Sequence, residues 1–254
     1  MILAAKGTTR RQIWGVADWL ISEVHRLGVD LRTNAYAETS DVLSLHPDAV
    51  IIATGGLPNA SEIEGNSQLV SSWDVLSGEA RVSGEILLFD ETGDHAALVC
   101  ADVLSRAGHS VRLVTPDRMI AHDLGPTNSA VVLRDLSQQG VQYQCFQELT
   151  SVEPAGNRKR VVLRDVLTKQ QSELLVDHVV TELGTTPLDD LYFDLKAASE
   201  NLGQLDYSAM IEGRDPFKVN NPAGQYKLAR IGDAVASRNI HAALFDAIRV
   251  CKDL

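Results

Sequence analysis

Hydrophobic residues follow two different periods along this chain, and the changes between them predict a mixed α/β fold. Apolar residues recur at helical spacing in residues 10–27, whereas Ala49 to Ile52 form the unbroken apolar run of a short buried strand. Residues 84–116 combine both patterns and predict a parallel strand–helix–strand unit. Its predicted elements are a strand at Ile86–Phe89, a helix at Asp94–Ala107 that Gly108 ends, and a strand at Val111–Thr115.

Shorter elements are predicted around this unit. Residues 29–33 predict a strand, residues 40–45 a turn of helix, and residues 129–140 a longer helix. Two further strands, 141–149 and 161–167, are joined by the polar turn 154–159. This last pair predicts an antiparallel β cap on the parallel unit.

Two predicted strands leave the sheet through glycine in similar segments of sequence. In DAVIIATGGLPN, residues 48–59, the exit runs through Ala53, Thr54, Gly55 and Gly56, and Pro58 prevents the strand from continuing. In DHVVTELGTTPLDD, residues 177–190, the strand leaves through Gly184 and reaches Pro187. A third strand, near the C-terminus, delivers Gly232 and Asp233 to the start of a helix.

Composition narrows the class of partner. The chain has 254 residues, enough for two ordinary domains, and its net charge of −11 disfavours a nucleic-acid partner. No apolar run reaches the 18 or so residues that span a bilayer, and the N-terminus lacks a signal-peptide pattern. We therefore expect neither a membrane nor a nucleic-acid partner, and a cytoplasmic location.

Cysteine spacing argues against a redox disulfide or a metal centre within this chain. Cys100, Cys145 and Cys251 lie far apart and form no C-x-x-C pair, so they are predicted to be buried structural thiols. Tyr192 and Lys196 form a Y-x-x-x-K pattern, which short-chain dehydrogenases use in catalysis, but the glycine fingerprint and serine that accompany it there are not evident. The pattern is interpreted as chance, and no catalytic residue and no metal ligand is predicted.

The loop after the strand at 86–89 departs from a dinucleotide fingerprint. The three expected glycine positions fall on Asp90, Thr92 and His95, and a shift of one residue recovers only Gly93 and Ala96. Carboxylates at such a loop repel a pyrophosphate, which backbone amides and the helix dipole otherwise attract. We expect no appreciable NAD(P) binding there, although a working NAD(P)H site with unusual loop chemistry is the alternative.

The chain contains the segments DAVIIATGGLPN, VVTELGTTPLDDLYFDLK, NPAGQYKLARIGDAV and SRNIHAALFDAIRVCKDL. Together these four segments resemble the C-terminal part of the NADH:flavin oxidoreductases. The resemblance is to the group around trimethylamine dehydrogenase, 2,4-dienoyl-CoA reductase and the N-methylproline or betaine demethylases, and it covers essentially the whole chain. The loop FDETGD, at 89–94, is most similar to the trimethylamine-dehydrogenase and demethylase side.

The resemblance implies two Rossmann-like domains of the FAD/NAD(P)-binding type, the second inserted in the first. Residues 1–78 and 184–254 are expected to form a truncated FAD/ADP-binding-like domain, and residues 79–183 the inserted NAD(P)-binding-like domain. The strand and G-x-G-x-x-G turn that should open the first domain are absent from the sequence. Whether Met1 is a native start stays open.

Cofactors and partners follow from the same resemblance. FAD or ADP is expected at a weak or incomplete site made of Ala53, Thr54, Gly55, Gly56, Gly232, Asp233, Asn239 and Ile240. In such flavoproteins the Gly-Asp pair contacts the ribityl or pyrophosphate part of the flavin; the alternative is that Asp233 simply caps the following helix. FMN and a 4Fe–4S centre are expected only in an N-terminal TIM-barrel domain or subunit, and the assembly is expected to be a homo- or hetero-oligomer.

Two functions compete at this point. The chain is either the dinucleotide-binding portion or subunit of a flavin-dependent oxidoreductase acting on amines, not catalytic alone, or a non-catalytic α/β nucleotide-binding or interaction module. A free-standing dehydrogenase rests only on the Y-x-x-x-K pattern. Substrate and electron acceptor are not predicted by the sequence.

Overall fold

The computed structural model describes residues 2–59, 62–252 and 254. The strands are β1 (Ala49–Ile52), β2 (Gly56–Pro58), β3 (Leu69–Ser71), β4 (Glu85–Asp90), β5 (Ser110–Val114), β6 (Gln142–Gln144), β7 (Gln147–Ala155), β8 (Arg158–Asp165), β9 (Gln171–Val176), β10 (His178–Glu182), β11 (Thr185–Pro187) and β12 (Lys227–Arg230). The α-helices are α1 (Ile13–Arg26), α2 (Thr39–Ser44), α3 (Ser72–Ser77), α4 (His95–Arg106), α5 (Pro126–Gln138), α6 (Asp190–Lys196), α7 (Tyr207–Ile211) and α8 (Ile240–Cys251).

Contacts divide the chain into two compact units. Unit 1 comprises Met1–Val29 and Pro58–Gly184, and unit 2 comprises Asp30–Leu57 and Thr185–Leu254. Within the described residues, no helix is long and apolar enough to cross a membrane.

Unit 1 is built on a five-stranded parallel sheet in the order β3-β10-β4-β5-β6. Its central strand, β4, is buried from Ile86 to Asp90, as expected for a parallel strand covered on both faces. Helix α4 packs Ala97, Leu98 and Cys100 against this sheet. The predicted strand–helix–strand unit is confirmed, because β4, α4 and β5 begin and end within one residue of the predicted bounds or extend them by one.

Strands β7, β8 and β9 form a separate three-stranded antiparallel sheet, which confirms the predicted β cap. The predicted continuous strand at 141–149 is wrong. It is two strands, β6 in the parallel sheet and β7 in the antiparallel sheet, separated at Phe146, whose positive φ of 57° breaks the extended backbone.

Unit 2 contains a pair of parallel strands, β1 and β12, with α2, α6, α7 and α8. Its core holds Ile52, Tyr192, Leu195, Tyr226 and Leu228, all buried. Beside them the short strands β2 and β11 pair with each other. β1 ends at Ile52, the chain resumes as β2 at Gly56, and β2 ends at Pro58, in agreement with the prediction that this proline stops the strand.

Residues 29–33 do not form the predicted strand. They are exposed and irregular, and no strand among the described residues pairs with them. An extended segment without a hydrogen-bonded neighbour gains nothing from β geometry.

The predicted division of the chain into two nucleotide-binding domains, with boundaries at residues 78 and 184, stays a prediction. The boundaries of the compact units differ from this division. Residues up to Val29 and residues from Pro58 onward belong to unit 1, the same unit as the predicted insert. Two contacts account for this: β3 pairs with β10, and Thr8 donates two hydrogen bonds of 2.8 Å to Asp102 on α4.

Candidate nucleotide-binding sites

In unit 2, the predicted site residues of segment 53–56 and the Gly232-Asp233 pair follow the ends of two neighbouring strands. Strands β1 and β12 pair in register through Ile52 and Arg230, and the amide of Ile231 donates to the carbonyl of Ile52 at 3.0 Å. Ligands of parallel sheets bind at the carboxyl ends of the strands. The segment after β1 and the Gly232-Asp233 pair after β12 therefore lie at the edge where a nucleotide binds in such folds.

The glycines after β1 are explained by the neighbouring strand β11. A Cβ atom on Gly56 would lie 2.7 Å from the carbonyl oxygen of Thr186, and Gly55 accepts a hydrogen bond of 3.0 Å from the amide of Leu188. The hydroxyl of Thr54 donates to the carbonyl of Leu188. The Thr185 hydroxyl beside Gly56 is buried and has no hydrogen-bond partner within the described part of the chain, so a polar ligand atom or water is expected there.

Gly232 is required by the approach of helix α8. Its φ of 62° is left-handed, and a Cβ atom would lie 3.3 Å from the Cβ of Ala243. Its amide donates to Asp246 Oδ2 at 3.1 Å, and the guanidinium of Arg238 pairs with the same carboxylate. The Gly232 amide is thus already bonded to an anion of the chain itself.

Asp246 and Arg238 were not among the predicted site residues. Asp246 lies on the face of α8 that also carries Ala243 and the buried Val250, three and four positions away. A carboxylate at helical spacing with core residues was the available signal.

Asp233 is half-buried, and its Oδ1 accepts a hydrogen bond of 3.1 Å from the amide of Arg238. The alternative that Asp233 caps α8 is wrong, because Asn239 is the N-cap and accepts a hydrogen bond of 2.9 Å from the amide of Ala242. Asp233 closes the preceding loop instead, and the amides of Ile240 and His241 lie in the first turn, where no intrahelical acceptor exists.

These residues fit part of a flavin dinucleotide. The Asp233 carboxylate can accept hydrogen bonds from sugar hydroxyls, and the first amides of α8 can hold a phosphate. The Gly232 amide does not fit this role while Asp246 accepts from it. Whether these residues bind a cofactor stays a prediction.

The tyrosine of the Y-x-x-x-K pattern, Tyr192, makes a structural hydrogen bond. The hydroxyl of buried Tyr192 donates to the carbonyl of Gly203 at 2.7 Å, and burial raises its pKa, which opposes proton transfer near neutral pH. The Arg230 guanidinium lies over the rings of Tyr192 and Phe193, 4.7 and 5.3 Å from their centroids, and pairs with Asp189.

In unit 1, the loop after β4 binds its own carboxylate. Asp90 is fully buried, and its Oδ1 accepts hydrogen bonds from the Thr92 amide at 2.9 Å, the Thr92 hydroxyl at 2.8 Å and the Gly93 amide at 3.1 Å. Its Oδ2 has no partner among the described residues. Asp94 caps α4, accepting from the amide of His95 at 2.6 Å. The carboxylates predicted to repel a pyrophosphate therefore also occupy the donors that would hold one.

A second buried carboxylate lies beside Asp90. Glu182 pairs with it across the parallel strands β10 and β4, is 4% exposed, and accepts from the Ser72 hydroxyl and from the Gly184 amide at 3.2 Å. Burial raises the pKa of both carboxyls.

Cysteines follow the predicted burial only in part. Cys100 is buried and Cys145 is half-buried, whereas Cys251 is exposed in the last turn of α8; all three are free thiols. The prediction of a buried thiol is confirmed for Cys100 and wrong for Cys251.

The parallel sheet, its covering helices and the antiparallel cap define an α/β fold of the FAD/NAD(P)-binding type. The chain belongs to the pyridine nucleotide-disulphide oxidoreductase family, whose pattern matches residues 18–210.

Two relatives confirm the predicted resemblance to the demethylase group. The chain is 40% identical over 253 residues to a probable N-methylproline demethylase of Rhizobium meliloti, covering 99% of this chain and 37% of that protein. It is 36% identical over 263 residues to an N,N-dimethylglycine/sarcosine dehydrogenase of Chromohalobacter salexigens, covering 99% of this chain and 38% of that protein. The chain thus spans less than two fifths of the length of these relatives.

A solved structure shares the fold. A 2-naphthoyl-CoA reductase superimposes with a TM-score of 0.77 at 18% identity, over 98% of this chain and 33% of that chain.

Proposed function

We propose that this chain is the C-terminal dinucleotide-binding portion or subunit of a flavin-dependent oxidoreductase that acts on amines, and that it is not catalytic alone. The observation that carries the proposal is the extent of the similarity. Relatives named as a probable N-methylproline demethylase and an N,N-dimethylglycine/sarcosine dehydrogenase align with 99% of this chain at 36 to 40% identity, while more than half of their own length lies outside it.

In this proposal, unit 2 holds the adenine-containing cofactor, FAD or ADP. Asp233 binds sugar hydroxyls, the opening amides of α8 at Asn239 and Ile240 hold phosphate, and the turn from Ala53 to Gly56 lies along the same strand ends. The flavin supplies oxidation and reduction when bound, and these residues hold and orient it. Arg238 and Asp246 keep the Gly232 loop closed on α8.

The partner is a TIM-barrel domain or subunit that carries FMN, the 4Fe–4S centre and the amine site. A catalytic site outside this chain is consistent with the state of two reactive residue types within the described residues. Tyr192 donates its hydroxyl to a backbone carbonyl and Cys100 is buried, so neither is arranged for catalysis. A homo- or hetero-oligomer and a cytoplasmic location complete the proposal.

The test joins this chain to the upstream part of the R. meliloti relative and measures formaldehyde released from N-methylproline. We expect the chimera to turn over and this chain alone to show no activity. Activity of the barrel part equal to that of the chimera would assign the chain to the alternative, a non-catalytic interaction module. Turnover by this chain alone would contradict the proposal outright.

A further inference from the structure

We propose that Asp90 and His122 together fill the nucleotide loop of unit 1 and exclude nicotinamide dinucleotides from it. This inference concerns unit 1 and stands whether or not the proposed function is correct. Asp90 occupies the amides of the loop, and His122 occupies the space beside Gly93.

Asp90 occupies the place of an anion. A pyrophosphate in a dinucleotide fold accepts hydrogen bonds from amides of the loop between strand and helix. Here the amides of Thr92 and Gly93 donate to Asp90 Oδ1, which sits at the end of β4 and is fully buried. A phosphate could reach these amides only by displacing a buried carboxylate of like charge.

His122 covers the one glycine that the loop retains. A Cβ atom built on Gly93 would lie 2.0 Å from His122 Nδ1, so the imidazole takes up the space that a glycine leaves for close approach of a ligand. The ring is held by two carboxylates, with Nδ1 3.0 Å from Asp117 and Nε2 3.4 Å from Asp123.

The segment that carries His122 is itself bonded to the loop. The amide of Asp123 donates to the carbonyl of Gly93 at 3.1 Å, and Ala121 has a positive φ of 60°, which turns the chain towards the loop. Residues 117–124 therefore form a strap across the loop after β4, closed by one backbone hydrogen bond and one side chain.

The surroundings of the strap also disfavour an anion. An open cavity of about 590 Å³ at the carboxyl ends of the strands is lined by Glu62, Glu91, Glu148 and Arg164, a net negative set. Since a nicotinamide dinucleotide carries two phosphate charges, this field adds to the loss of free amides. Hydride from NADH is not delivered through this loop.

The test is calorimetric titration of the whole chain with NADH and, separately, with inorganic pyrophosphate. The wild type is expected to give no saturable heat with either probe. The variant Asp90→Gly/His122→Ala frees two amides and uncovers Gly93, and it is expected to bind both probes at least about tenfold more tightly than the wild-type limit.

A matched control removes the same chemistry away from the loop. Asp165 accepts hydrogen bonds from the amides of Leu167 and Thr168 and from the Thr168 hydroxyl, so its donors are of the same kinds as those of Asp90, two amides and one threonine hydroxyl. The variant Asp165→Gly/His109→Ala should bind neither probe. An equal gain in this control, or saturable NADH binding by the wild type that Gly93→Val abolishes, overturns the proposal.

A folded double variant that still binds neither probe also overturns the proposal, since the two side chains would then not be what excludes the ligand. Should that variant fail to fold, Asp90→Ala alone is titrated, with hydrogen exchange of the Thr92 and Gly93 amides as the readout, because this substitution removes their acceptor. Pyrophosphate is expected to slow exchange of these amides in Asp90→Ala and not in the wild type; an identical effect of pyrophosphate on both proteins contradicts the proposal.

Discussion

Replacing Asp90 by asparagine should stabilise the protein at neutral and alkaline pH. An asparagine carbonyl can accept the three hydrogen bonds that Oδ1 now accepts, while an amide replaces the buried, unpartnered Oδ2. The substitution also removes a charge from the strand position paired with buried Glu182, and with it the repulsion between the two carboxylates.

The sign and size follow from the ionisation of a buried acid. Burial raises the folded-state pKa of Asp90 above its unfolded value, so the folded state binds the proton more tightly. The stability that this proton provides is fully present below the unfolded pKa, about 4, and is lost as the pH rises through the folded pKa. Above that pH, a buried charged group with an unsatisfied oxygen destabilises by about 1–3 kcal/mol, which Asp90→Asn should recover.

The difference in stability between Asp90→Asn and the wild type is measured by thermal unfolding at pH 4.5 and pH 8, with circular dichroism as the signal. At about 2–4 °C per kcal/mol for a chain of this size, Asp90→Asn should unfold several degrees above the wild type at pH 8 and by a smaller margin at pH 4.5. Asp165→Asn is the control, because hydrogen bonds from the Thr168 amide and its neighbours lower the pKa of that half-buried carboxyl, so its stabilisation is lost as the pH falls. An Asp90→Asn protein no more stable than wild type at pH 8, or a gain independent of pH, would refute the reasoning.

Three further experiments test other parts of the structure. Arg230→Lys keeps the charge but loses the stacking on two aromatic rings, and should lower the free energy of unfolding in urea by about 1 kcal/mol; Arg230→Ala should lower it further by leaving a carboxylate unpaired, and equal values for both would contradict this. Asn239→Ala should destabilise by about 0.5–2 kcal/mol through loss of the α8 N-cap, with Asn239→Ser close to wild type in the same assay. Iodoacetamide should label exposed Cys251 and leave Cys100 unlabelled in the native protein, as mass spectrometry of tryptic peptides would show, because burial raises the pKa of the Cys100 thiol; labelling of Cys100 first would contradict the buried position.

Local patterns predicted the elements whose burial does not depend on distant partners. The apolar run of β4, the N-cap Asp94 and the stop at Gly108 define one strand and one helix within a short segment. The break at Phe146 could not be predicted from local sequence, because it depends on the sheet that each of the two flanking strands joins. The segment at 29–33 has a strand-like pattern but no described strand to pair with.

The candidate sites show the same limit for side chains. The sequence showed carboxylates at Asp90 and Asp94 and predicted repulsion of a phosphate, but only the folded loop shows Asp90 bonded to the amides in question. The position of His122 over Gly93 depends on a strap 29 residues further along the chain, which no local pattern reports. Asn239, in contrast, precedes an apolar helix and is an N-cap residue by type, so its capping role was open to prediction.

The flavin content of the chimera with the upstream part of the R. meliloti relative tests the central claim most directly. FAD and ADP are released by heat from the wild-type chimera and from its Asp233→Ala and Asp194→Ala variants, and both are quantified by chromatography; Asp194 is an exposed carboxylate of unit 2 that serves as the control. The account predicts stoichiometric FAD or ADP in the wild type and the Asp194→Ala variant and its loss from Asp233→Ala, because the carboxylate that accepts from the sugar hydroxyls is gone. Equal retention of the nucleotide in all three proteins would contradict the assignment of unit 2 as the cofactor-binding unit through Asp233.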